Sequence, residues 1–161
     1  MERNKTNKTI KIILMDKILK NTKFYIGPMS KNIVDTIISF CEKEDYNIGL
    51  IPSRRQVEYD GGYVNSWDTK EFINYVRDKT NKILLCRDHG GIGQGKYYDN
   101  GYISLYNDIN FDIVHIDPWK KYSDLNSVVN ETVDNIKFIN HLSPFLVLRW
   151  FYLQAIHLVY L

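Results

Sequence analysis

The sequence predicts an α/β fold built from parallel βα repeats, and three observations support this fold class. Four short apolar runs alternate with longer segments whose apolar residues recur at helical spacing. Successive units are roughly 24 to 35 residues long, which is the length that a parallel crossover with its helix requires. In every unit, Gly, Pro and polar residues follow the apolar run. The pattern leaves open whether the strands form a barrel or an open sheet.

The first unit begins after a polar lead-in over residues 1–23. Phe24, Tyr25 and Ile26 form a short apolar run that ends at a Gly-Pro pair, so a strand is predicted there. Ser30 is placed to cap a helix. The apolar face of that helix has helical spacing: Ile33, Val34, Ile37, Ile38 and Cys41.

The second unit has a predicted strand over residues 48–51, ended by Pro52, and then a dense polar loop with the sequence SRRQVEYDGGY. Asp68 and Glu71 have the spacing of a capping box, which predicts the start of the next helix. The apolar side of that helix consists of Phe72, Tyr75 and Val76.

The third unit has its predicted strand over residues 83–86, with Arg87, Asp88 and His89 at the strand's end. The glycine-rich sequence GGIGQG follows, and a short helix or turn is expected over residues 101–110. A dinucleotide fingerprint would need a helix to start directly at the glycines, and the turn-like KYYDNG stands there instead. The loop can cradle a sugar phosphate through its backbone N–H groups, including that of Gly91, or it can simply be flexible.

The fourth unit has a predicted strand over residues 113–116, then Asp117 and Pro118, with Ser123 as the expected cap of a last helix. Residues 24–140 form the predicted domain. Residues 141–161 form an apolar tail, open to three interpretations: a membrane anchor, a buried helix, or a segment unrelated to the fold, such as a frameshift product. The third is favoured; a membrane anchor is the least favoured, because the tail falls short of about 20 apolar residues and contains an arginine.

Composition excludes several classes of protein. The 161 residues carry 21 basic and 19 acidic side chains, a net charge of +2 that gives no argument for nucleic acid binding. The two cysteines do not form a CxxC pair, so neither a structural zinc site nor a disulfide framework is indicated. The N-terminus lacks the pattern of a secretory signal. A cytoplasmic protein with no membrane association is expected.

Asp88 and His89 form the strongest candidate site. In metal-dependent aldol chemistry an imidazole binds a divalent ion that polarises a carbonyl, while a nearby carboxylate moves a proton. Asp88 is therefore predicted to be catalytic, with His89 and His115 as ligands of a divalent metal such as zinc. For His115 taken alone, a role as a core histidine with its hydrogen bonds satisfied is favoured over a role as a metal ligand.

The substrate contacts are predicted from the polar residues after the other strands. Arg54, Arg55 and Gln56 can grip a phosphate or carboxylate, or can pair with the acidic residues of their own loop. Asp117 and Lys120 follow the fourth strand, where Lys120 is expected to contact phosphate or to be a solvated charge rather than to form a Schiff base.

Three segments together resemble a known family: RRQVEYDGGYVNSWDTKEFINYVRD, ILLCRDHGGIGQG and FDIVHIDPWKKYSDL. They are similar to successive βα units of the D-tagatose-bisphosphate aldolase accessory subunit family, a class II aldolase-like TIM barrel. The resemblance covers residues 24–140. The matching positions are Gln56, Val57, Gly61, Gly62, Tyr63, Asp88, His89, His115 and Asp117.

The resemblance implies a non-catalytic subunit that supports a partner aldolase. In the catalytic relatives, the proton-transfer aspartate and one zinc histidine would map onto Asp88 and His89, and the other zinc histidines come from the later half of the barrel. The expectation is therefore the N-terminal half of an aldolase-type barrel, of about four βα units. Its substrate would be a small phosphorylated sugar or keto acid. The isolated chain is expected to be inactive: a homodimer, the partner of an aldolase-like chain, or a degenerate fragment.

Overall fold

The computed structural model describes residues 20–44, 46–95 and 101–142, and within them it shows alternating strands and helices. In chain order the elements are β1 (Thr22–Ile26), α1 (Lys31–Lys43), β2 (Asn47–Leu50), α2 (Thr69–Arg77), β3 (Cys86–Gly90), α3 (Tyr102–Asp108), β4 (Ile113–Ile116), a 3₁₀ turn (Trp119–Lys121) and α4 (Leu125–Leu142). The predicted α/β class is confirmed.

All the strand pairs within the described residues are parallel. β1 pairs with β2, and β3 pairs with β4. Two isolated parallel bridges, Leu50 with Leu85 and Ser53 with Asp88, connect the first pair to the second. The backbone N–H of Asp88 donates to the carbonyl of Pro52 at 3.0 Å. The strands therefore neighbour one another in the order of the sequence, and the carboxyl ends of β2 and β3 meet.

The hydrophobic core lies between the strands and the inner faces of the helices. α1 buries one side of its amphipathic surface, and its core residues are those that the sequence pattern predicts, with Val34 fully buried. Leu50 and Leu85 are fully buried at the centre, between the two strand pairs. Phe72 on α2 and Phe111, two residues before β4, pack together with ring centroids 6.2 Å apart.

Two helix starts agree with the sequence prediction, and a third differs. The hydroxyl of Ser30 accepts a hydrogen bond from the backbone of α1, and both halves of the Asp68–Glu71 capping box are present at α2. The prediction that Ser123 caps the last helix is wrong. Asp124 takes that position, and its Oδ1 accepts from the backbone N–H of Ser127 at 2.9 Å. Both residues are good caps, and an aspartate also suits the positive end of the helix dipole.

The position of β3 also differs from the prediction. Residues 83–85 are buried, as an apolar run should be, but the ladder with β4 begins only at Cys86. The backbone of Leu85 bonds instead to Asp112, through its N–H to the carboxylate and its carbonyl to the main chain. Arg87, Asp88 and His89 consequently lie within the strand and not after it, which changes how their side chains are directed.

The predicted domain limits fall close to element ends. β1 begins at Thr22, two residues inside the expected lead-in, and α4 continues to Leu142, two residues into the expected tail. Residues 1–19 and 143–161 lie outside the described residues. They contain most of the predicted lead-in and tail, so the interpretations of those two segments stay predictions. Among the described helices, none combines the length and apolar character needed to cross a bilayer.

Candidate functional site

A β-bulge in β3 builds the candidate site. Between Arg87 and Gly90 the strand advances three residues while β4 advances two, from Val114 to Ile116. His89 lies inside this irregularity with φ of 47°, a left-handed conformation that is unusual for a residue with a side chain. In a regular strand Asp88 and His89 would point to opposite faces. The bulge removes that alternation.

Asp88, His89 and His115 therefore converge. Asp88 Oδ1 lies 3.5 Å from His89 Nε2 and 3.6 Å from His115 Nδ1, and the two imidazole rings have centroids 5.3 Å apart. Asp88 and His89 are partly exposed, and His115 is 12% exposed. The three residues, which we call the Asp-His-His cluster, thus form a polar group that a small ligand can reach.

The geometry of the cluster suits a divalent metal. One ligand atom from each residue lies within 4.8 Å of the other two. Bond lengths of about 2.0–2.1 Å in a tetrahedral zinc site place neighbouring ligand atoms about 3.3–3.4 Å apart. The two distances from Asp88 Oδ1 are close to this value. Two nitrogens and one oxygen are a donor set that zinc accepts, with the fourth position left for water or substrate.

Asp117 contacts Nδ1 of His89, the ring nitrogen that is not the one near Asp88. Its Oδ2 lies 2.5 Å from His89 Nδ1, and its side chain is only 6% exposed. The hydrogen bond that His89 makes to Asp117 raises the pKa of His89, although burial acts in the opposite direction. Burial raises the pKa of Asp117, but the hydrogen bond and the charge of His89 outweigh it and leave that pKa below its usual value. Asp117 therefore remains a carboxylate and stabilises a proton on the His89 ring.

Gln94 supports Asp117, a contact that the sequence analysis did not predict. The side-chain Nε2 of Gln94 donates to the backbone carbonyl of Asp117 at 2.5 Å, and Gln94 is 4% exposed. The backbone N–H of Asp117 donates to Gly90 at 2.9 Å. A glutamine in a glycine-rich loop looks like any solvated loop residue, so only its burial in the structure reveals this contact.

The arginines of the β2 loop occupy different environments. Arg54 is 1% exposed, forms an ion pair with buried Glu58 and donates from Nη1 to the carbonyl of Gly91 at 2.7 Å. Ser104 on α3 donates to the same glutamate at 2.9 Å. Arg54 thus pairs with Glu58 in the protein interior and not in a surface salt-bridge cluster, whereas Arg55 is exposed.

Gln56 is buried as well and connects two loops. Its Nε2 donates to the carbonyl of Pro28 at 2.8 Å, and its Oε1 accepts from the N–H of Ser53 at 2.7 Å. The residue joins the loop after β1 to the loop after β2. These internal hydrogen bonds explain why a polar residue is buried here. They account for Gln56 better than a contact with substrate does.

Lys120 is exposed and lies in the 3₁₀ turn that follows β4. Its positive charge acts to lower the pKa of His89. A Cβ built on Gly93 would lie 3.5 Å from Cβ of Lys121 and 3.9 Å from Cβ of Lys120. The glycine-rich loop and the 3₁₀ turn therefore pack together at Gly93, whereas Gly91 is buried beside Asn135 and Ile116.

These features define an α/β protein with a polar cluster where parallel strands end. No protein-family model matches the sequence, and no curated protein matches it.

Among solved structures, the chain is similar to the crystal structure of a probable tagatose 6 phosphate kinase from Sinorhizobium meliloti 1021. The TM-score is 0.64 at 15% sequence identity, over 80% of this chain and 37% of that one. The chain thus spans little more than a third of the length of this structure. At this identity the likeness establishes a shared fold.

Proposed function

We propose that this chain contributes the N-terminal half of a (β/α)₈ barrel with a metal-dependent, aldolase-like site for a phosphorylated sugar or keto acid. The observation that carries the proposal is the Asp-His-His cluster at the carboxyl ends of β3 and β4. Active sites of such barrels lie at that end of the strands. The strand order supports a barrel, since neighbours in sequence are also neighbours in space, whereas doubly wound sheets reverse their order at a switch point.

The metal is held, in this proposal, by His89 Nε2, His115 Nδ1 and Asp88 Oδ1. A divalent ion bound there would polarise a substrate carbonyl. The second oxygen of Asp88 is then placed to take a proton from the substrate carbon next to that carbonyl. His89 and Asp88 are exposed enough for a small substrate to approach both.

The phosphate or carboxylate of the substrate is assigned to the rim of the cluster. Lys120 and the backbone of the glycine-rich loop beginning at Gly91 provide positive charge and N–H donors there. Arg55 is the exposed arginine of the β2 loop. We prefer it to Arg54, whose guanidinium is engaged with Glu58 inside the protein. The similarity to a sugar-phosphate kinase fold supports sugar-phosphate chemistry in general.

Metal binding provides the first test. Purified chain, stripped with chelator and reloaded with zinc, should retain about one ion per chain by elemental analysis after desalting. His89→Ala should abolish retention, whereas His141→Ala should retain the ion, because His141 lies at the end of α4 outside the cluster. Absence of bound metal, together with cleavage of ketose phosphates at the rate seen in buffer, would refute the enzymatic proposal.

A second function, that of a non-catalytic assembly subunit, is favoured by the exposed apolar surface of β1. Phe24 is 63% exposed, and Tyr25 and Ile26 are each 37% exposed. An apolar strand edge of this kind is a template for pairing with another strand. This proposal expects a stable complex, with a second copy or with an aldolase-like chain, in light scattering and co-purification. A monomer at all concentrations, with no aldolase-like chain retained, would count against it.

A further inference from the structure

We propose that Asp117 is a positioning residue for the metal site: its carboxylate fixes the ring of His89 so that Nε2 faces Asp88 and His115. This inference rests on the metal site proposed above, and it gives Asp117 a role different from the substrate contact that the sequence suggests. The ligand concerned is a divalent cation, and the residue acts on it only through His89.

The hydrogen bond defines which ring nitrogen is left for the metal. Asp117 Oδ2 lies 2.5 Å from His89 Nδ1, and a carboxylate can only accept, so in the neutral ring Nδ1 carries the proton and donates a hydrogen bond to Asp117. Nε2 then keeps its lone pair, and this atom is the one that lies 3.5 Å from Asp88 Oδ1. Histidine ligands in metal sites are commonly oriented in this way by a carboxylate on the other ring nitrogen.

The backbone of His89 gives an independent reason for such a restraint. With φ of 47°, His89 adopts a left-handed conformation that a side chain disfavours. Strained residues of this kind persist where surrounding contacts determine them. The same conformation allows Asp88 and His89 to share one face, so the bond to Asp117 stabilises the arrangement on which the cluster depends.

Asp117 is itself held firmly enough to act as a restraint. Its backbone is bonded on both sides, to the carbonyl of Gly90 at 2.9 Å and from the side chain of Gln94 at 2.5 Å. Its Oδ1 accepts from the N–H of Trp119 at 3.5 Å. With 6% of the side chain exposed, Asp117 faces His89 and not the solvent.

The first experiment uses metal-free protein, so it is independent of the proposed function. The ¹⁵N shifts of labelled histidine, measured above the pH at which the rings lose their charge, distinguish the two tautomers. The signal of His89, assigned by comparison with His89→Gln, should show a proton on Nδ1 in the wild type. In Asp117→Leu the proton should move to Nε2, the usual tautomer in water, whereas Asp117→Asn should keep it on Nδ1, because the amide oxygen still accepts.

The second experiment measures the affinity for Co²⁺ by its visible absorption. Asp117→Leu should bind Co²⁺ about 10- to 100-fold more weakly than the wild type, which is the usual effect of losing such a partner. Asp117→Asn should lose less. Asp124→Asn is the matched control, because this carboxylate caps α4 away from the cluster, and its affinity should equal that of the wild type. The near-ultraviolet circular dichroism of each variant verifies the native fold.

The two experiments separate failure of this inference from failure of the proposed function. If the wild type binds no Co²⁺, the metal site is refuted, and the tautomer alone decides whether Asp117 holds His89. A proton on Nε2 in the metal-free wild type overturns the positioning role. The positioning role is also overturned if Asp117→Leu has the native fold and binds Co²⁺ as tightly as the wild type. A change in the shape of the Co²⁺ spectrum in Asp117→Asn at saturation would also overturn it, by showing that Asp117 is a direct ligand.

Discussion

Arg87 on β3 and Asp108 on α3 form an ion pair that is completely excluded from solvent, with 2.8 Å between Nη2 and Oδ1. The same guanidinium donates from Nη1 to the carbonyls of Pro52 and Val57, at 3.1 and 2.8 Å. It also lies over the ring of Phe111. One buried cation thus joins the β2 loop, β3 and α3 beneath the Asp-His-His cluster.

Removal of the Arg87 guanidinium should destabilise the fold. Arg87→Met leaves the carboxylate of Asp108 buried without its partner, so we expect the free energy of unfolding to fall by about 3–5 kcal/mol, measured by urea denaturation. The double variant Arg87→Met/Asp108→Leu should recover part of the loss, because it removes both charges. An unchanged urea midpoint for Arg87→Met would show that the pair contributes nothing to stability.

The two neighbouring arginines of the β2 loop should respond differently to substitution. Arg54→Ala leaves Glu58 buried and unpaired, and we expect a loss of about 3 kcal/mol or more in the free energy of unfolding. Arg55→Ala is the matched control, since an exposed side chain changes stability by about 0.5 kcal/mol or less. Equal effects in thermal or urea unfolding would contradict the observed difference in burial.

Gly62 lies against rigid backbone, and its substitution should disturb the loop before α2. A Cβ at Gly62 would lie 2.0 Å from the carbonyl oxygen of Gln56 and 2.5 Å from the nitrogen of Val57. Gly62→Ala should therefore destabilise the fold by about 1–3 kcal/mol in urea denaturation.

Gly49→Ala provides the comparison for this prediction. A Cβ at Gly49 would meet the ring of Tyr25 at 2.2 Å, and that ring is 37% exposed and can rotate away. The loss of stability should be smaller than for Gly62→Ala. The reverse order would indicate that the Tyr25 ring is fixed in place.

The two thiols should be protected in the native protein. Cys41 and Cys86 are 0% and 2% exposed, and burial raises the pKa of each thiol. Thiol reagents attack the thiolate, so neither cysteine should react with DTNB at about pH 8 until the chain unfolds.

The pH dependence of the reaction with DTNB also tests whether the two thiols are protected. The unfolded chain should react faster as the pH approaches about 8.5, the ordinary pKa of cysteine, while the native rate stays low because the folded thiols remain protonated. Cys41→Ala isolates the signal of Cys86. A native rate equal to the unfolded rate would contradict the burial of Cys86.

Local signals in the sequence were sufficient for much of the fold. Ser30 and the Asp68–Glu71 pair act as caps because their partners lie three residues away on the same chain. The position of β3 could not be predicted in the same way. The backbone of Leu85 bonds to Asp112, a partner 27 residues away, so the β3–β4 ladder begins only at Cys86.

In the candidate site too, some features are predicted from the local sequence and others depend on distant contacts. Asp88 and His89 stand out in the sequence because polar, titratable residues follow an apolar run. Their convergence depends on the bulge between β3 and β4, which is a property of two strands pairing. Arg54 and Arg55 are identical in type and adjacent, and nothing local indicates that the first is buried and the second exposed.

The sequence by itself determined the order of strands and helices, the parallel βα rhythm and the strand that carries the polar pair. These features depend on short-range periodicity and on capping residues. Only the tertiary structure decided that Asp117 and Gln94 support His89, and that His115 faces Asp88. Those contacts join residues more than 20 positions apart, and their formation depends on which backbone groups pair and which side chains lose contact with water.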